Sequence, residues 1–268
     1  MKNYLPYLIL TLIFFGCSAV NEVSFDNLLG SKNTSKSLNK STNVKKLSKN
    51  VIDSPKGFVK VYDDNDFGIF LRNLPFKTFE NEVKNYDGSV KQNTNSVSAV
   101  INLPITDKNK QTYSNGVFRL RNEYLYDTKK FNLIKFDKEE KPLASFNSFS
   151  RSKSYSDFLA YLDEVYDKLS PSSLANYTHK IPLTDIKIGD IFYQNSSNKS
   201  HAVMIIDLAE NLKGKKIMLL AQTFYPSQEL HVISNPENTD ISPWYEVKEG
   251  TLLTPDWRFF TSDLVRFN

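Results

Sequence analysis

Between Asp185 and Asn235 the sequence sets six polar side chains among short apolar runs: Asp190, His201, Asp207, Gln222, Gln228 and His231. Histidine is the side chain whose ordinary pKa lets it serve as an acid or base near neutral pH, provided its second ring nitrogen is held by a partner. His201 and Gln222 are placed for such a pairing. H-A-V-M-I-I-D and K-I-M-L-L-A-Q read as two strands of an antiparallel hairpin across Asn211 to Gly214, which sets the start of one beside the end of the next. Each residue also has a plainer reading. His201 can be a hydrogen-bonded structural histidine, Gln222 and Gln228 can satisfy backbone groups at strand ends, and Asp190, after Gly189, can shape a turn. His201, His231 and Asp190 do not follow a recognised metal-ligand spacing, so neither a metal nor a cofactor is expected.

The elements that must position these groups follow from periodicity. I-G-D-I-F-Y-Q and L-H-V-I-S complete a set of four strands with the hairpin. Upstream, residues 57–62 alternate like a strand, and 63–74 form a helix with Phe67, Phe70, Leu71 and Leu74 on one face. Asp87-Gly88 signals a hairpin turn, and 98–103 reads as a further strand. Thr106 to Asn109 can cap a helix over 107–126, with Val117, Leu120, Tyr124 and Leu125 inward and Arg119, Arg121 and Glu123 on its other sides. Arg119 there is a candidate anchor for an anionic ligand, against the default of surface ion pairing. Residues 128–152 read as short strands or loops, and 154–169 as a strongly amphipathic helix. Trp244 and Tyr245 either line a groove or cap the core. Residues 251–260 form a hairpin arm, and Thr261 to Asp263 cap a final turn of helix. The fold class expected is α+β, a largely antiparallel sheet flanked by helices.

The beginning of the chain differs. Lys2 precedes an apolar run from Leu5 to Phe15, too short for a stable bilayer anchor and laid out like a secretory signal. It ends in F-F-G-C, and Cys17 is the only cysteine among the 268 residues. This resembles the lipobox of bacterial lipoproteins, which implies a signal peptide over 1–16, lipidation of Cys17, and a membrane-anchored cell-envelope protein. With Cys17 acylated the mature chain has no thiol, hence no disulfide and no cysteine nucleophile.

The formal charge is +4. Lys32, Lys36, Lys40, Lys45, Lys46 and Lys49 fall in 31–50 without one acid; with Lys2, Glu22 and Asp26 ahead of them, residues 51–268 carry −1. The basicity thus belongs to a Ser/Asn/Lys-rich tether over 17–54, and a folded part over 55–268 has no net positive charge for nucleic acid.

R-L-R-N-E-Y-L-Y, I-G-D-I-F, H-A-V-M-I-I-D-L-A-E-N, L-L-A-Q-T-F-Y-P-S-Q-E-L-H-V-I-S-N-P, S-P-W-Y and T-P-D-W-R-F together resemble the DUF4846 family of bacterial lipoproteins, over about 57–267. G-D-I-F followed by H-A-V-M-I-I-D is also similar to the strand pair of papain-like NlpC/P60 and CHAP hydrolases. That second resemblance implies a papain-like fold in which His201 is the base and Gln222 orients it, with a nucleophile at the start of the helix over 107–126. The DUF4846 resemblance implies a position, about where Tyr113 stands, at which relatives often carry a Cys, and Ser114 beside it has no activating partner in sequence. The expectation is a module that binds a cell-wall peptide or glycan without thiol catalysis, with Asp190, Tyr113, Arg119, Gln228 and His231 as binding candidates. The alternatives are a hydrolase using His201 with another nucleophile, and a structural envelope component.

Overall fold

A computed structural model of the protein describes residues 52–63, 65–78, 82–196 and 199–268. The expected signal, Cys17 and nearly all of the tether lie outside those residues. Among the described residues no helix is long and apolar enough to cross a membrane.

The strands are β1 (Phe58–Lys60), β2 (Val97–Val100), β3 (Thr178–Lys180), β4 (Ile191–Ser196), β5 (Lys199–Asn211), β6 (Lys216–Gln222), β7 (His231–Ile233), β8 (Trp244–Glu246), β9 (Thr251–Leu253), β10 (Arg258–Phe260) and β11 (Leu264–Phe267). Nine of them form one sheet, in the order β2-β7-β6-β5-β4-β11-β3, with β1 on β5 and β8 on β6; β9 and β10 pair separately. Each of these strand pairings is antiparallel. The centre is the β5–β6 hairpin, in register from Met204 opposite Ala221 to Glu210 opposite Lys216, with a bulge between Ile205 and Asp207. Residues 217–222 of β6 are all buried, which is why this strand reads as a continuous apolar run rather than an alternation. The expected α+β class, with a largely antiparallel sheet, is the observed one.

The helices are α1 (Asp66–Arg72), α2 (Asn115–Asp127), α3 (Phe146–Phe149), α4 (Tyr155–Tyr166) and α5 (Ser173–Asn176). α1 and α2 pack on β5, and α4 packs on α2. The amphipathic pattern over 154–169 gives α4, whose N-cap Ser154 accepts the Asp157 N–H at 3.1 Å. α1 starts at Asn65, whose side chain accepts the Phe67 N–H at 3.0 Å, later than the acidic run suggests.

Three expectations change, and one pair of alternatives is decided. The helix expected over 107–126 begins only at Asn115, because residues 109–113 bond to the segment 223–228 instead of to a helical turn. Residues 128–152 hold α3 and a 3-10 turn at Phe131–Leu133, with no strand. Thr261–Asp263 is a single 3-10 turn that leads into β11 rather than a helix: Leu264 pairs with Phe192, and Val265 with both Ile191 and Lys180. Trp244 and Tyr245 are 1% and 2% exposed on β8, so they belong to the core.

Candidate functional site

The start of α2 is held against the sheet by a set of bonds that the local sequence does not announce. Gln111 N–H donates to Ser227 Oγ at 3.1 Å, Ser227 N–H donates to Asn109 Oδ1 at 2.7 Å, and Thr223 Oγ1 donates to the Gln111 carbonyl at 3.0 Å. At the second residue of the helix, a Cβ on Gly116 would stand 2.6 Å from Thr223 Cγ2, so the close approach requires glycine. Between these anchors Tyr113 adopts φ +46°. A bulky residue in the left-handed region stores of order 1–3 kcal/mol, a strain that the surrounding bonds hold in place.

That conformation brings the Tyr113 ring edge-on to His201, with centroids 6.1 Å apart. His201 lies on β5, and Nε2 of its ring is 2.9 Å from Gln222 Oε1 on β6. The Gln222 amide nitrogen is 2.6 Å from Asp256 Oδ2 and 3.4 Å from His231 Nε2, on β7. Three adjacent strands therefore carry one polar row. Its proton positions follow from the acceptors. An ionised carboxylate only accepts, so the Gln222 NH2 must face Asp256 and its oxygen must face His201. Nε2 of His201 is then the N–H donor, and Nδ1 carries a bare lone pair. That Nδ1 is buried and has no hydrogen-bond partner among the described residues. His231 donates from Nδ1 to the Glu229 carbonyl at 2.9 Å, which leaves its Nε2 to accept from Gln222.

Both histidines are fully buried, and burial lowers each pKa to about 4, against the weaker upward pull of their hydrogen bonds and of Asp256. They are neutral at pH 7. Phe224, Trp257 and Phe259 enclose His201 with Tyr113, at centroid distances of 5.1, 5.4 and 5.8 Å for the first three. Asp256 is steadied by Lys91, 3.4 Å away, and Trp257 donates from Nε1 to Gln194 Oε1 at 2.9 Å. Beyond Tyr113 opens a cleft of about 250 Å³, which Tyr113, Ser114 and Ser200 help to line.

The expected residues thus divide. His201, Gln222, His231 and Tyr113 meet. Asp190 does not join them: it sits beyond the start of β4, where its backbone faces Ile205, and its carboxylate accepts from Arg266 Nε at 2.6 Å and Nη2 at 2.9 Å and from the Lys187 N–H at 2.6 Å. Arg119 is neither a surface pair nor open to a ligand. It is 2% exposed and donates to Glu123, Gln111, the Pro104 carbonyl and Tyr155, so it clamps the 104–111 loop to α2. Gln228 donates to the Pro226 carbonyl at 3.1 Å, and its backbone carbonyl, 2.7 Å from Thr223 Oγ1, shares that one hydroxyl proton with the Gln111 carbonyl; its role is to hold the 223–228 turn. Asp207 is bound by Lys60 and Arg72 at the bulge.

Asp256, Trp257, Lys91 and Tyr225 were not expected. T-P-D-W-R-F contained the first two, but nothing local placed that motif against β6. Among the described residues no cluster of three or more His, Cys, Asp or Glu is arranged to hold a metal ion.

The sequence model of a family described as Domain of unknown function (4846) matches residues 48–153 and 147–266 of the chain. No curated protein matches it, and no solved structure does.

Proposed function

Since the chain belongs to the DUF4846 family, whose description assigns no activity, its role has to come from the site, and we propose a membrane-anchored cell-envelope lipoprotein whose papain-like scaffold binds a peptide or glycan without thiol catalysis. The supporting observation is the edge-on contact of Tyr113 with His201 at the head of α2, with Gln222 bonded to Nε2 of the imidazole. In a papain-like enzyme a thiolate stands at such a helix end, its base on a strand and an amide behind the base. Here the position holds a phenol. Burial raises the Tyr113 pKa above its usual 10, so it supplies almost no nucleophile near neutral pH. No cysteine lies anywhere in residues 18–268.

One observation favours a second reading, a hydrolase with a non-cysteine nucleophile. The bare Nδ1 of His201 is an unspent base, and the Ser114 and Ser200 hydroxyls line the adjoining cleft.

The two readings separate on insoluble cell-wall material incubated with the full chain in detergent. Co-sedimentation without soluble fragments is the expected result. Fragments released by the wild type and lost in His201→Ala would establish the hydrolase, and no co-sedimentation with no fragments would leave a structural component. The anchor has its own test: Cys17→Ser should move the protein out of the membrane fraction or leave its signal uncleaved, and an unchanged distribution and N-terminal mass would sink that part.

A further inference from the structure

The cleft beside Tyr113 has walls that are polar and neutral. Its charged side chains, Lys110 and Asp167, form an ion pair with each other, so no uncompensated charge is offered to an ionic ligand. What it offers is hydroxyls. Thr112, Ser114 and Ser200 line it, and none of their side chains makes a hydrogen bond to a described residue. The same holds for the Tyr113 phenol. Asn115 donates its amide to the Lys110 carbonyl at 2.8 Å, which leaves its oxygen free to accept. Tyr166 is a further wall residue, 6% exposed, and its hydroxyl is buried without a partner among the described residues. Buried polar groups are ordinarily paired, so a hydroxyl of this kind marks a place where a partner is missing.

Leu169, Pro171 and the Tyr113 ring supply the apolar part of the lining. Beside the cleft, outside its lining, Tyr225 stacks on Tyr113 with planes 7° apart and centroids 6.1 Å apart, and Tyr225 is 57% exposed. An apolar ring surface beside free hydroxyls and an amide oxygen suits a ligand with an apolar ring face and a rim of hydroxyls. An anion would find no free cation in these walls, and an aliphatic side chain would strand the hydroxyls without partners. The volume, about 250 Å³, is just below the roughly 300–1,000 Å³ of sites that enclose a drug-sized molecule, and matches one ring with its neighbour outside. We propose that this cleft holds one ring of a neutral glycan against the Tyr113 ring, hydrogen-bonded to Thr112, Ser114, Asn115 and Ser200, while the neighbouring ring outside lies on the exposed face of Tyr225. This deepens the binding-module reading and rests on it.

The test is titration calorimetry on the full chain in detergent with three neutral disaccharides (N,N′-diacetylchitobiose, cellobiose and maltose) and, in parallel, the cell-wall-type tripeptide L-alanyl-γ-D-glutamyl-L-lysine. At least one disaccharide should bind at one site per chain. Tyr225→Ala should weaken that binding about three- to tenfold, and Ser200→Ala by a similar factor, as expected for a lost stacking surface or a lost hydrogen bond. Tyr225 is largely in solvent, so its variant should melt with the wild type, which separates lost contact from lost fold. Disaccharide binding indifferent to both substitutions would overturn the assignment to this cleft. Binding of the tripeptide alone would overturn the glycan while keeping the binding module, and binding of none of the four would overturn both.

Discussion

Gln222 Oε1 accepts from His201 Nε2 at 2.9 Å across the β5–β6 pair, and this one bond sets the state of the imidazole. It holds the proton on Nε2 and leaves Nδ1 bare, in surroundings that disfavour a second proton. The ring is therefore kept neutral.

A pH dependence of stability follows. In the folded chain His201 and His231 protonate only near pH 4, whereas in the unfolded chain both take protons near 6.5. Between those values the unfolded state binds more protons, so stability rises with pH across the window and is lost as pH falls from about 6.5 towards 4. With two such groups the slope reaches at most about 2.7 kcal/mol per pH unit. Urea midpoints measured at pH 7, 6 and 5 should fall in that order, and the double variant His201→Gln, His231→Gln should flatten the trend. A flat wild-type profile would show that the imidazoles are solvated.

Tyr113→Cys places a thiol at the head of α2, beside the imidazole. In a Cys17→Ser background this is the sole thiol of the chain. Its iodoacetamide labelling near neutral pH should be faster than in the same variant carrying His201→Gln, because the bare Nδ1 can accept the thiol proton as the sulfur attacks. Equal labelling rates in the two variants would mean that the histidine does not address this position.

Arg119→Met should cost roughly 3–5 kcal/mol, because it leaves the Glu123 carboxylate buried without its cation and strips the Gln111 side chain and the Pro104 carbonyl of their donor. Denaturant unfolding gives the measurement. The double change Arg119→Met, Glu123→Gln should recover part of the loss, since the stranded charge is then gone. A loss below about 1 kcal/mol for the single variant would place Arg119 among surface pairs after all.

Asp190→Asn should lower stability by about 1–3 kcal/mol through its paired contacts with Arg266, and leave cell-wall co-sedimentation unchanged. A selective loss of binding at full stability would return Asp190 to the site.

The His201–Gln222 contact was legible in the sequence because a short hairpin fixes which strand ends meet, and strand alternation fixes the side. The long amphipathic face of α4 was legible for a similar reason. The start of α2 was not: Thr106 to Asn109 hold good capping residues, yet Asn109 and Gln111 find partners on the 227 turn, more than a hundred residues away. Asp256 was hidden for the same kind of reason. Its identity was visible in T-P-D-W-R-F, but only tertiary folding lays that motif over β6. Arg119 misled because an i,i+4 pair with Glu123 looks the same in sequence whether it faces water or the interior.

β11 has one further consequence. It lies between β4 and β3, and among the described residues β3 has no other strand beside it, so a sheet edge built from residues 178–180 must wait for residues 264–267. A ribosome delivers those four residues after every other strand of the sheet. The sheet is thus completed from its late end, by contacts of long sequence separation that slow the final step.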